Sequence, residues 1–92
     1  MKSLHKMMIR AFEKIAKRYR WDDSKFCPNS LRGYGYRNAR DWARHMAANY
    51  ELDDITQMCE ALVEIIEDAI RNDVPISQYD LDCFAQEEIE CW

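Results

Sequence analysis

Apolar side chains recur at steps of three and four along nearly the whole chain. This period, close to the 3.6 residues of an α-helical turn, leaves little room for anything but helices. Leu4, Met8, Phe12, Ile15 and Tyr19 set one stripe over residues 3–20, with Lys2, Lys6, Arg10, Lys14 and Lys17 on the other side. Ala39, Trp42, Ala43, Met46 and Tyr50 set a second over residues 38–50, where Asn38 is a good N-cap. A third helix is expected over 54–72, capped by Asp53 or Asp54, with Arg71 in its last turn where a cation suits the dipole. Its apolar side is the broadest in the chain (Ile55, Met58, Cys59, Leu62, Val63, Ile65, Ile66, Ala69 and Ile70), which predicts the central helix.

Ser77 followed by Asp80 has the spacing of a capping box, with Ile76 and Leu81 placed as its hydrophobic staple. A fourth helix over 78–91 then runs towards Trp92 and turns Leu81, Phe84, Ala85, Ile89 and Trp92 inward. No strand-like alternation and no fixed repeat interrupts this pattern. The expected fold is all-α: a small bundle of about four helices forming one domain, 1–92, with one long loop, 21–36, after the first helix. Ninety-two residues, 48 % of them apolar, suffice for one modest core without covalent staples.

Charge is sorted along the chain. Residues 1–44 carry twelve Lys/Arg against four Asp/Glu, and residues 45–92 carry one against thirteen, for a net charge of −4. Such polarity bears on partners and association rather than on the fold. Two candidate binding surfaces follow. The basic one comprises Lys6, Arg10, Lys14 and Lys17 of the first helix with Arg32, Tyr34, Tyr36, Arg37, Arg40 and Arg44 of the loop and second helix. Cations interleaved with aromatic rings suit phosphates and stacked bases. The acidic one comprises Glu60, Glu64, Glu67 and Asp68 of the third helix with Glu87 and Glu90 of the fourth. Carboxylates four residues apart on a helix stand about 6 Å apart along its axis, a spacing that can imitate a phosphate backbone before a basic groove. Glu13 is placed to pair with Lys17 one turn on.

The loop 21–36 concentrates turn formers (Asp22, Asp23, Ser24, Pro28, Asn29, Ser30, Gly33 and Gly35) around Trp21, Phe26, Tyr34 and Tyr36. Either these rings pin the loop to the helices or they serve a partner.

Chemistry is thinly supplied. His5 and His45 are the only histidines; His45 lies one turn from Asp41, with no nucleophile placed beside it. Glu87 and Glu88 are adjacent and point apart on a helix. Cys27, Cys59, Cys83 and Cys91 form no zinc-type spacing, and Cys83 and Cys91 are about 12 Å apart along a helix. Cys59 reads as a small core residue. Neither catalysis, metal nor cofactor is expected. Without an apolar run of about 18–20 residues, and with a charged beginning, the chain is expected to be soluble and cytoplasmic, with reduced thiols.

The expected function is therefore that of a small non-enzymatic binding protein. It would modulate or inhibit a larger nucleic-acid-handling complex through electrostatic and steric occlusion. Phage-encoded inhibitors of host defence, anti-CRISPR proteins among them, offer an analogy of size and charge, without a motif to carry it. The competing expectation is a regulator that binds nucleic acid directly through the basic N-terminal half. Opposite charges at the two ends also suit a two-fold homodimer.

Overall fold

The computed structural model describes residues 3–21, 35–54 and 56–91. Within them the chain forms four α-helices and no strand: α1 (Leu4–Arg18), α2 (Ala39–Ala47), α3 (Glu60–Arg71) and α4 (Gln78–Glu90). The small all-α bundle expected from the apolar period is the architecture found.

Three of the four helices start on a side-chain cap. Ser3 Oγ accepts the Lys6 N–H at 3.2 Å, and Asn38 Oδ1 accepts the Asp41 N–H at 2.9 Å. Ser77 and Asp80 close the capping box in both directions. The third helix departs from expectation. It starts at Glu60 rather than 54, with Cys59 at the N-cap and no side-chain cap. The reason lies in Asp54, whose Oδ1 accepts both the N–H and the hydroxyl of Thr56 at 3.0 and 2.7 Å. Glu51 Oε1 in turn takes the N–H groups of Asp53 and Asp54. Short polar side chains thus satisfy this backbone locally as turns, in competition with a helix. The second helix is shorter than expected as well. After Ala47, Asn49 and Tyr50 donate to carbonyls three residues back, which tightens the chain out of the α-helix.

The ends of α1 and α3 share one device. Arg20 (φ 55°) and Asp73 (φ 52°) take the left-handed conformation usually left to glycine. Trp21 N–H then reaches Ala16 O and Arg20 N–H reaches Lys17 O; Val74 and Asp73 repeat both bonds to Ala69 and Ile70. These are two Schellman motifs, and each folds the following residue back onto its helix.

The core is organised on α1. Met7, Met8, Ile9, Ala11, Phe12, Ile15 and Ala16 are buried there, against Ala39, Trp42, Ala43 and Ala47 of α2 and Leu81, Phe84 and Ala85 of α4. Buried alanines on all three helices let the backbones approach closely. Rings then run through the core from one side to the other. Trp21 meets Trp42 edge-on (5.4 Å), Trp42 meets Phe12 (5.9 Å), Phe12 stacks on Tyr50 (5.8 Å), and Tyr50 meets Phe84 (5.5 Å).

The expectation that the third helix is central is overturned. α3 contributes one buried side chain, Leu62, and packs chiefly on α4. Ile70 is 72 % exposed, and Cys59, expected in the core, is exposed outside the helix. Asp53, Asp54, Thr56 and Gln57 spend their backbone N–H groups on local turns, so the chain reaches α3 late.

Candidate functional site

The two charged faces differ in what they already hold. On the basic face, Lys6, Arg10, Lys14 and Lys17 are all exposed along α1. Lys14 Nζ lies 2.9 Å from Asp82 of α4, and Lys17 Nζ lies 3.7 Å from Glu13. Arg40 Nη1 of α2 donates to the same Glu13 at 3.2 Å, so one carboxylate, half-buried between helices, gathers cations from α1 and α2. Arg37, which precedes α2, sits 3.8 Å from Asp41. Lys6, Arg10 and Arg44 make no ion pair among the described residues.

The aromatic part of the basic face is turned inward where the structure describes it. Tyr36 is half-buried against the core and meets His45 edge-on at 5.2 Å. Trp21, half-buried as well, is held between Tyr19 and Trp42. These two rings pin the ends of the loop to α1 and α2. Arg32 and Tyr34, with Phe26 and Cys27, lie outside the described residues. His45 faces Tyr36, and Asp41 is engaged by both the backbone N–H and the guanidinium of Arg37. Asp41 thus serves the entry to α2.

The acidic face has a different character. Glu60, Glu64, Glu67 and Asp68 are exposed on α3, and Glu87 and Glu90 are exposed on α4. Glu64 and Asp68 of α3 and Asp80 and Glu87 of α4 line one groove of 260 Å³ together with Ala61, Ile65, Cys83 and Phe84. Asp68 pairs with Arg71 at 3.0 Å, and Glu90 accepts from Gln86 at 3.2 Å. Glu60, Glu64, Glu67 and Glu87 make no ion pair among the described residues. Glu88, between Glu87 and Glu90, turns instead to Tyr50. Burial, then the hydrogen bond to and charge of Glu88, push the Tyr50 hydroxyl far above its ordinary range.

Beside this face lies a surface whose α3 half, by periodicity alone, belongs to the core. Ile66, Ala69 and Ile70 of α3 and Val74, Pro75 and Ile76 of the following loop line a depression of 480 Å³, with Asp73 at its rim. Val74 is 54 % exposed. One signal of it was present in the sequence. The apolar arc of α3 from Ile65 to Val63 spans about 160° at 100° per residue, wider than the ~100° stripe that one buried face needs.

Cys59, Cys83 and Cys91 are free and exposed, and among the described residues no three His, Cys, Asp or Glu converge as metal ligands. No described helix is long and apolar enough to cross a membrane. Comparison with protein-family models, with curated proteins and with solved structures finds no match to this chain.

Proposed function

We propose that this chain is a small non-enzymatic binding protein of the cytoplasm, and that its working surface is the acidic face of α3 and α4. It would modulate or inhibit a larger nucleic-acid-handling complex by occupying a basic groove, as an inhibitor of the phage anti-defence type does. One observation supports this choice of face over the other. Lys14, Lys17, Arg37 and Arg40 each have a carboxylate of the same chain beside them, whereas on the acidic face Arg71 pairs with Asp68 and leaves Glu60, Glu64, Glu67 and Glu87 in no ion pair among the described residues. Exposed ion pairs are individually weak. Collectively they still lessen the local field of the basic face, where Lys6, Arg10 and Arg44 stay unpaired among the described residues, more than the single Asp68–Arg71 pair lessens the acidic field that would steer a cationic partner.

The test is capture of partners from a bacterial lysate by tagged protein, with and without nuclease, using two charge-reversed chains. With Glu60, Glu64 and Asp68 all changed to Lys, capture of a nuclease-resistant protein complex should be lost. With Arg37, Arg40 and Arg44 all changed to Glu, it should persist. Recovery of nucleic acid that depends on those three arginines would instead make this a direct nucleic-acid-binding regulator. Circular dichroism on each chain reports whether the bundle is intact.

A further inference from the structure

α3 carries an apolar flank that the described chain covers only in part, least at Ile70. Val63, Ile66 and Ile70 recur at i, i+3 and i+7, within an arc of about 60° at 100° per residue. Val63 and Ile66 are half-buried and Ile70 is 72 % exposed. Across the depression stand Val74, Pro75 and Ile76, and the Schellman bonds from Val74 to Ala69 and Asp73 to Ile70 hold that wall against the helix. The groove is therefore formed before anything enters it, so a ligand need not order it on binding. At 480 Å³ it has room for aliphatic side chains from another molecule.

The charge around this groove selects its occupant. Glu60, Glu64 and Glu67 follow one another at i, i+4 and i+7 on the side of α3 next to the apolar flank, where the helix's one cation, Arg71, is paired with Asp68, and Asp73 stands at the groove's end. A second copy docked through α3 would set these carboxylates against themselves. A second copy docked through α1 would bring cations with little apolar surface, because the apolar side of α1 is buried in its own core and Tyr19, 45 % exposed, has one ring face stacked on Trp21. Anionic lipid and nucleic acid meet the same repulsion. What fits is an apolar ridge edged with cations.

We propose that the flank of α3 and the loop after it form a docking groove for a cationic amphipathic helix of a partner protein. The partner's apolar residues, spaced i, i+3/i+4 and i+7, seat along Ile66, Ile70 and Val74, while its Lys and Arg side chains reach Glu60, Glu64 and Glu67. This rests on the acidic-face reading above and supplies the chemistry of the partner.

The test uses the full chain and a labelled amphipathic Leu/Lys peptide of about 18 residues, compared by fluorescence anisotropy with a scrambled peptide of the same composition. The amphipathic peptide should bind at least about tenfold more tightly than the scrambled one. Ile70→Gln and Val74→Gln, which leave the charge unaltered, should each weaken it by about tenfold. Changing Glu60, Glu64 and Glu67 together to Gln should weaken it and flatten its salt dependence. Equal binding of the two peptides, or wild-type affinity in both Gln variants, would overturn the proposal. Val74 lies outside the helices, so V74Q carries the test even if I70Q perturbs α3. A wild-type dimer that dissociates on I70Q would assign the groove to a second copy and overturn it too. Capture from lysate that survives I70Q and V74Q but fails on reversal of Glu60, Glu64 and Asp68 would sink the groove and spare the acidic-face function. Peptide binding as expected, without capture of any nuclease-resistant complex, would do the reverse.

Discussion

Leu62 and Ile70 lie eight residues apart on α3 and occupy opposite environments. Leu62 is 1 % exposed and is the helix's one buried anchor, while Ile70 is 72 % exposed. Replacing Leu62 with Ala should cost about 3 kcal/mol, the sum of lost transfer energy and an unfilled cavity. Ile70→Gln should alter stability by less than about 0.5 kcal/mol, since almost nothing packs on it. Urea unfolding of the two variants checks the contrast, and equal costs would mean that α3 is seated more deeply than its exposure shows.

Glu13 joins α1 to α2 by accepting from Arg40 while Lys17 stands beside it. The Glu13 side chain is 17 % exposed and that of Arg40 45 %, so the pair is partly screened. A double-mutant cycle with Glu13→Gln and Arg40→Gln should give a coupling of about 0.5–1 kcal/mol that shrinks in molar salt. A coupling near zero at low salt would leave the Arg40 charge free for a partner and would weaken the case for preferring the acidic face.

Asp73 is doubly misplaced for stability. Its φ of 52° strains a residue with a Cβ, and its carboxylate sits at the C-terminal end of α3, where the helix dipole is already negative. Asp73→Gly should therefore stabilise the chain by about 1 kcal/mol, seen as a higher urea midpoint at unchanged slope. A loss of stability would show that the Asp73 carboxylate has a favourable role in the turn.

Much of this fold was legible because its local rules agree. The Asn38 cap, the Ser77 and Asp80 box and the stripes of α1 and α4 all rest on neighbours within a turn of sequence. Periodicity reports which face of a helix is apolar, and it is silent on whether another element arrives to cover that face. For this reason the sequence pattern alone assigns Ile66 and Ile70 to the core. The sequence permits Asp53 or Asp54 as a helix cap, yet Thr56 offers Asp54 a shorter-range partner two residues later. The charged faces were legible as totals, and their pairing was not. Lys14 finds Asp82 and Arg40 finds Glu13 across 68 and 27 residues, through helix packing that no spacing rule encodes. Cys59 was expected inside for its place in an apolar run, and it lies exposed because the helix begins one residue after it.

The shallow seating of α3 has a dynamic consequence. With Leu62 as its single buried anchor and α4 as its main neighbour, α3 should open on its own more readily than α1, whose seven buried residues are tied to two helices. Amide exchange at Ile66 to Arg71 should then be faster than at Met8 to Ala16 under conditions where the bundle as a whole stays folded. If the groove beside Ile70 is a docking site, the same amides should slow when a cationic amphipathic peptide is added. At about 100 times its Kd, a ligand that binds only the closed form stabilises it by about 2.7 kcal/mol, roughly a hundredfold in exchange. Exchange at α1 would be unaltered wherever it proceeds by openings that leave α3 bound. Equal protection of α1 and α3 in the free chain would contradict the picture of a lightly tethered helix. Protection gained at α1 but not at α3 would place the peptide elsewhere.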